Sequence, residues 1–113
     1  MTHFAGPVIS VAGFAVPSTA YAASGAIDPA VPVANLTKTT PAGAFTIAAP
    51  GTANVGKFLS VFTTAALAHV TTVTGLLGGT TLTLAAAAGA GFTLYAVSAT
   101  VWAVISLNGA TQS

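Results

Sequence analysis

Residues 78–108 read GGTTLTLAAAAGAGFTLYAVSATVWAVISLN, and the reading of this stretch decides the fold. Thr81, Leu82, Thr83 and Leu84 alternate polar and apolar, with the period of two that puts every second side chain of a strand on one face. Further on, residues 90–98 and 100–107 are rich in β-branched and aromatic side chains, and the short break at Ser98-Ala99-Thr100 suits a hairpin turn. These last two segments do not alternate cleanly. Phe92 and Leu94 fall on one face while Tyr95 and Val97 fall on the other, as expected when both faces are covered in a packed sheet or at a subunit interface. Ala85–Ala88 favours helix by propensity, but Gly89 and Gly91 follow at once, so the run reads as a connection.

Working back toward the N-terminus, the same texture persists as far as Pro32. Short stretches of Val, Ile, Thr and Phe are punctuated by Gly, Pro and Asn, which places strands near 33–38, 44–49, 55–62, 69–74, 80–85, 90–98 and 100–107. Phe45 and Ile47 alternate with Thr46 as in a half-buried strand, and Pro50-Gly51, Gly78-Gly79 and Asn108-Gly109 mark reversals. Seven short strands without a long helix predict an all-β chain, an antiparallel β-sandwich or jelly-roll-like body over residues 33–113. No internal repeat of fixed period is present, which argues against a solenoid.

Residues 1–32 differ in character. Pro7, Pro17, Pro29 and Pro32 stand among Gly and Ala and resist both a continuous helix and a central strand, so this part is expected to be an extended N-terminal arm. Phe4, Val8, Ile9, Val11, Phe14, Val16, Tyr21 and Ile27 make it too apolar for a solvated tail. An arm of this composition needs a protein surface to lie on, and Phe4, Pro7, Val8, Ile9, Phe14, Val16 and Tyr21 are its candidate interface residues. The same stretch carries an Ala20-Tyr21-Ala22 that looks like a signal-peptidase site. No Lys or Arg precedes it and prolines interrupt its apolar run, so a secretory leader is not the reading adopted.

Charge is the most unusual quantity. Charged residues make up 3% of the 113-residue chain, and Asp28, Lys38 and Lys57 are all of them; an ordinary soluble domain has about 25%. A monomer of this mass exposes roughly 5,600 Å², and three charges cannot give that area the mixed charged coat that keeps copies apart. Much of the surface should therefore meet other protein, including further copies of the same chain. Net charge is +1 with no basic run, so the field that captures phosphates is missing and nucleic acid is not an expected partner. There is no cysteine, hence no disulfide and no thiolate metal site.

The groups available for chemistry are few. There is no Glu, and Asp28, His3 and His69 are the only carboxylate and imidazole side chains for acid and base work. No nucleophile elbow surrounds any Ser, and Gly75-Leu76-Leu77-Gly78-Gly79 lacks the Lys and Ser or Thr of a phosphate-binding loop. His69 could be a metal ligand, a pH-sensitive interface group or a polar strand residue with a hydrogen-bond partner. The last is preferred, since one imidazole lacks the three or four ligands of a zinc site. Tyr95 and Trp102 are read as core or oligomer-interface aromatics. No enzyme activity, catalytic residue, metal or cofactor is assigned.

Two further classes compete. Leu82 to Leu107 contains no charge and is long enough to span a bilayer by the ~20-residue criterion. Gly89, Gly91, Thr93, Ser98, Thr100 and Ser106 interrupt its apolarity, and no Lys or Arg flanks it, so a membrane anchor is the runner-up. A displayed carbohydrate-binding module, stacking sugars on Tyr95 or Trp102, is the third reading.

Several segments carry a family resemblance. The opening FAGPVISVAGF, Phe4 to Phe14, resembles the F-x-G-P-V-x-S-x-x-G-F start of small head proteins encoded beside the major capsid protein of tailed bacteriophages. LTKTTPAGAFTIAAP, VFTTAALAHVTTVTG and the closing LYAVSATVWAVISLNG look like the body of those proteins, which ends in an aromatic strand, a Trp and an Asn-Gly. The resemblance implies a capsid decoration (cement) protein: a β-rich, often trimeric subunit on the outer surface of the virion, bound to the major capsid protein and stabilising the head. A head-fibre or spike-base subunit is the alternative within that class. The chain departs from the commoner pattern in its poverty of charge and its Ala85–Ala88 run.

Overall fold

Every second side chain of each central strand enters a common core, and the alternation read from the sequence supplies most of it. The computed structural model describes residues 15–113. Their strands are β1 (Ser18–Tyr21), β2 (Gly25–Ala26), β3 (Val33–Leu36), β4 (Ala44–Ile47), β5 (Phe58–Thr63), β6 (Val70–Val73), β7 (Thr81–Leu84), β8 (Gly91–Ala96), β9 (Trp102–Asn108) and β10 (Ala110–Gln112), with a 3₁₀ turn at Thr52–Asn54. Phe45 and Ile47, Leu59 and Val61, Leu82 and Leu84, and Phe92 and Leu94 are all buried, while Thr46, Thr72 and Tyr95 point away from the core.

The strands form two five-stranded sheets around that core, one in the order β1-β3-β5-β8-β9 and the other β2-β4-β6-β7-β10. All seven strands placed from the sequence are present. Their pairing differs from the antiparallel expectation, because both sheets are mixed. From β1 to β6 the chain steps from one sheet to the other at every connection, so successive strands of the same sheet run parallel: β1 with β3, β3 with β5, β2 with β4, β4 with β6. The chain thus winds to and fro between the two sheets, a course the antiparallel expectation did not include. Its coils are unequal, the register partners Ser18, Val33 and Ser60 lying 15 and then 27 residues apart, which is why no fixed period marks it. From β6 onward the pairing turns antiparallel, with hairpins β6–β7 and β8–β9 and a final crossing at Gly109 that brings β10 onto β7.

The arm expected over residues 1–32 is part of the sheets where it is described. β1 and β2 are the edge strands of the two sheets, Ile27 is buried, and Tyr21 packs against the core. Pro17, Pro29 and Pro32 flank these strands instead of interrupting them, so they remove no ladder donor. Residues 1–14 lie outside the described residues. The candidate membrane span, Leu82 to Leu107, is three strands, β7, β8 and β9, and among the described residues no helix is long and apolar enough to cross a membrane.

Trp102 ties the sheets together. It sits at the start of β9 with no exposed surface, and its indole Nε1–H donates to the Ala48 carbonyl beyond β4 in the opposite sheet, at 2.9 Å. Its backbone N–H donates to Gly75 O and its carbonyl accepts from Leu77 N–H, both at 2.9 Å, so the loop after β6 is pinned to the first sheet as well. Gly75 makes this approach possible: its φ is +82°, and a Cβ there would lie 1.9 Å from the Thr100 carbonyl oxygen. Trp102→Ala should cost about 3–5 kcal/mol in urea unfolding. Gly75→Ala should also destabilise well beyond the ~1 kcal/mol of a typical substitution; unchanged midpoints for both would contradict the clasp.

Candidate interaction surfaces

No charged residue lies in any strand. Asp28, Lys38 and Lys57 all occupy connections, and two of them are engaged locally. Lys38 Nζ donates to the carbonyls of Thr39 and Pro41 at 3.1 and 2.6 Å, and Asp28 Oδ1 accepts from Ala30 N–H at 2.9 Å. Both outer sheet faces, and the edge strands β1, β2, β9 and β10, are therefore uncharged. Charges on edges and faces are the usual means by which β-proteins avoid pairing with one another, and these strands lack them.

The two outer faces differ in chemistry. On the first sheet, Phe58 and Tyr95 are directly paired across β5 and β8, their ring centroids 5.0 Å apart with planes inclined by 50°. Phe62 follows on the same face of β5, and Ser60 Oγ and Thr93 Oγ1 are hydrogen-bonded at 3.0 Å beside the pair. Phe58 is 53% exposed, a large apolar area for a side chain in a strand. Gly56 N–H donates to Ala96 O and Ala96 N–H to Lys57 O, so the chain around Val55 runs along that of Val97, and both valines are exposed. Pro29, Ala30, Pro32, Gly56, Lys57 and Phe58 line a groove at the same end. On the second sheet the outer face is hydroxylic: Thr46, Thr72 and Thr81 stand in one rank across β4, β6 and β7, and Thr83 pairs with Thr111.

β9 adds a third apolar element. Leu94 pairs with Val104 and Thr93 with Ser106, so Ile105 is an extra residue in a β-bulge, 56% exposed. Leu107 beyond it is also exposed. β8 thus has one face buried within the chain and Tyr95 on the other, while in the edge strand β9 only Trp102 is fully buried and the apolar residues beyond it are left partly or wholly uncovered.

Of the residues singled out from the sequence, Tyr95 belongs to this outer face. Trp102 is a core residue and presents no ring for a sugar to stack on. Tyr21 is half-buried, and its hydroxyl oxygen accepts from Asp28 N–H at 2.8 Å while its carbonyl accepts from Thr37 and Lys38 N–H. It holds the β2–β3 and β3–β4 connections to the body. Val16 is exposed, and Phe4, Pro7, Val8, Ile9 and Phe14 lie outside the described residues. The surface residues that sequence reading missed are Val55, Phe58, Phe62 and Ile105. The signal for two of them was legible: Phe58-Leu59-Ser60-Val61-Phe62 is apolar at both parities, more than one core face can absorb.

His69 has the hydrogen-bond partner expected of it, but it lies in the connection immediately before β6 and not in the strand. It is fully buried, its ring is edge-on to Phe45 with centroids 5.5 Å apart, and Nδ1 accepts from Gly43 N–H at 2.7 Å. Among the described residues no three His, Asp, Glu or Cys side chains gather as a metal site would require. No known protein family, no characterised protein and no solved structure matches the chain.

The division between core and outer face has a measurable consequence. Leu94→Ala, which removes a fully buried side chain of β8, should destabilise by about 2–5 kcal/mol. Phe58→Ala on the outer face should cost only the ~0.5–1.5 kcal/mol of its aromatic pair. Equal losses for the two in denaturant titrations would mean that the Phe58 face is structural.

Proposed function

We propose that the protein is a structural subunit of a virus particle, a decoration or cement protein that binds the outer surface of a tailed-phage head and stabilises it through subunit contacts. The observation that carries this reading is the uncharged strand surface, and within it the apolar strip in which Val55, Phe58 and Val97 are exposed and Phe62 and Tyr95 half-buried. A face of that kind is costly to leave in water and gains by burial against protein. The family resemblance of residues 4–14 and of the body segments supplies the kind of partner, the major capsid protein, and the expectation of a homo-oligomer, a trimer in the commoner pattern. The work of such a subunit is mechanical: burial across subunit boundaries, contributing roughly 25 cal/mol per Å² before the costs of association, resists separation of the shell.

In this reading residues 1–14 bind the shell or a neighbouring copy through Phe4, Pro7, Val8, Ile9 and Phe14. A truncation that tests this must stop before β1, since removing residues 1–27 would also take β1, β2 and the buried Ile27 out of the body. The experiment is light scattering after size-exclusion chromatography, then co-sedimentation with assembled heads. The full chain should run as a discrete oligomer and pellet with heads. The chain lacking residues 1–14 should keep its β circular dichroism and lose most of its binding, and Phe58→Ser should weaken binding by at least about tenfold, as a central interface residue does. A monomer that ignores heads overturns the proposal.

A further inference from the structure

A buried histidine accepts a hydrogen bond from the end of one connection between the two sheets, and that bond has only one possible sense. Gly43 N–H can only donate, so His69 Nδ1 must be the lone-pair nitrogen and the ring proton must sit on Nε2. Nε2 is itself buried with no hydrogen-bond partner. Gly43 stands at the end of the β3–β4 crossover, residues 37–43, immediately before Ala44 opens β4. A Cβ on Gly43 would lie 2.7 Å from the Phe45 ring and 2.8 Å from Lys38 Cδ, so this end of the crossover is packed tightly over the histidine. Thr39, Thr40, Pro41 and Ala42, by contrast, are exposed.

We propose that His69 is an acid-released latch on the β3–β4 crossover: taking a proton from solvent turns Nδ1 from acceptor into donor, breaks its bond with Gly43 N–H and loosens the buried end of the crossover at Gly43, which is then held only through its carbonyl by Val70 N–H. The groups around the ring oppose a charge there. Phe45 of β4 offers the imidazole no counter-ion, and Leu84 of β7, whose N–H donates to the His69 carbonyl at 2.9 Å, is apolar. Lys38 is the titratable group that bears on the ring, and it carries the same sign. Burial first and the Lys38 ammonium second hold the imidazole below its ordinary value of 6.5. The Lys38 backbone pulls the other way, less strongly than either. With the folded value depressed, the unfolded or opened chain binds the proton better. The latch is therefore fully closed above pH 6.5 and weakens as pH falls below it.

The test is amide hydrogen exchange by NMR from pH 7.5 to 5.0, expressed as protection factors so that the intrinsic pH dependence of exchange is removed. The protection of Gly43 should fall as pH drops below 6.5, approaching about tenfold per pH unit, the slope of an opening coupled to one proton. His69→Asn, whose side-chain oxygen can take the place of Nδ1 but does not titrate, should hold protection constant over the same range. Wild-type protection that does not change with pH, or an equal fall in the Asn variant, would overturn the latch. Should that variant not fold, the ring nitrogen shifts of the wild type decide. An unprotonated Nδ1 at pH 7.5 that gains its proton as Gly43 loses protection supports the proposal, and any other order of events overturns it.

Discussion

Trp102 is the contact on which the two-sheet arrangement depends. Its ring fills the core, its indole N–H reaches the opposite sheet, and its backbone binds the loop after β6, so one residue fixes the spacing and the offset of the sheets. Gly75 is the matching constraint, since any side chain there would overlap the Thr100 carbonyl. A winding in which the chain changes sheet at each of its first five connections has few local contacts to hold it. Neighbouring strands of a parallel pair are separated by a whole coil, and their register relies on side chains that span the core.

The core is closed, yet the outer surfaces are made as if they too were to be covered. A protein that spends its life as a monomer puts Lys or Glu on its edge strands and outer faces. Here those positions hold Phe58, Phe62, Tyr95 and Ile105 on one sheet and a rank of threonines on the other. The aromatic face and the threonine face are also chemically unequal, which gives the subunit two distinguishable sides. An asymmetric subunit of this kind can bury one side against a partner and leave a hydrated, uncharged side outward.

Much of the strand content was legible in the sequence and the pairing was not. Phe45-Thr46-Ile47 and Leu82-Thr83-Leu84 announced their buried faces by alternation, and all seven segments placed from their β-branched and aromatic texture between Gly, Pro and Asn contain strands. β1, β2 and β10 escaped because they are short edge strands. Pro17 and Pro29 around the first two suggested an irregular arm, and the three residues after the Asn108-Gly109 turn lack the β-branched and aromatic run that marked the other strands. Parallel pairing across coils of unequal length leaves no periodic mark, since side-chain alternation is the same whichever way a neighbour runs. The interaction surface was half legible. The unalternated β8 and β9 pointed to a second covered face, and of the two aromatics read as core or interface residues Trp102 is in the core and Tyr95 on the outer face. Which parity of an apolar strand points inward is decided by packing across the sandwich, and the sequence of one strand does not contain it.

A protein-binding role for the uncharged aromatic face of the first sheet, as proposed, requires that face to be covered in the complex. Its most direct test is residue-resolved footprinting of Phe58, Phe62 and Tyr95 with a solvent-borne radical or carbene probe, on the free chain and on the chain bound to assembled phage heads. These three should become protected on binding, while the interior Trp102 should be unreactive in both states. Labelling of Phe58, Phe62 and Tyr95 that is the same in the two states would contradict it.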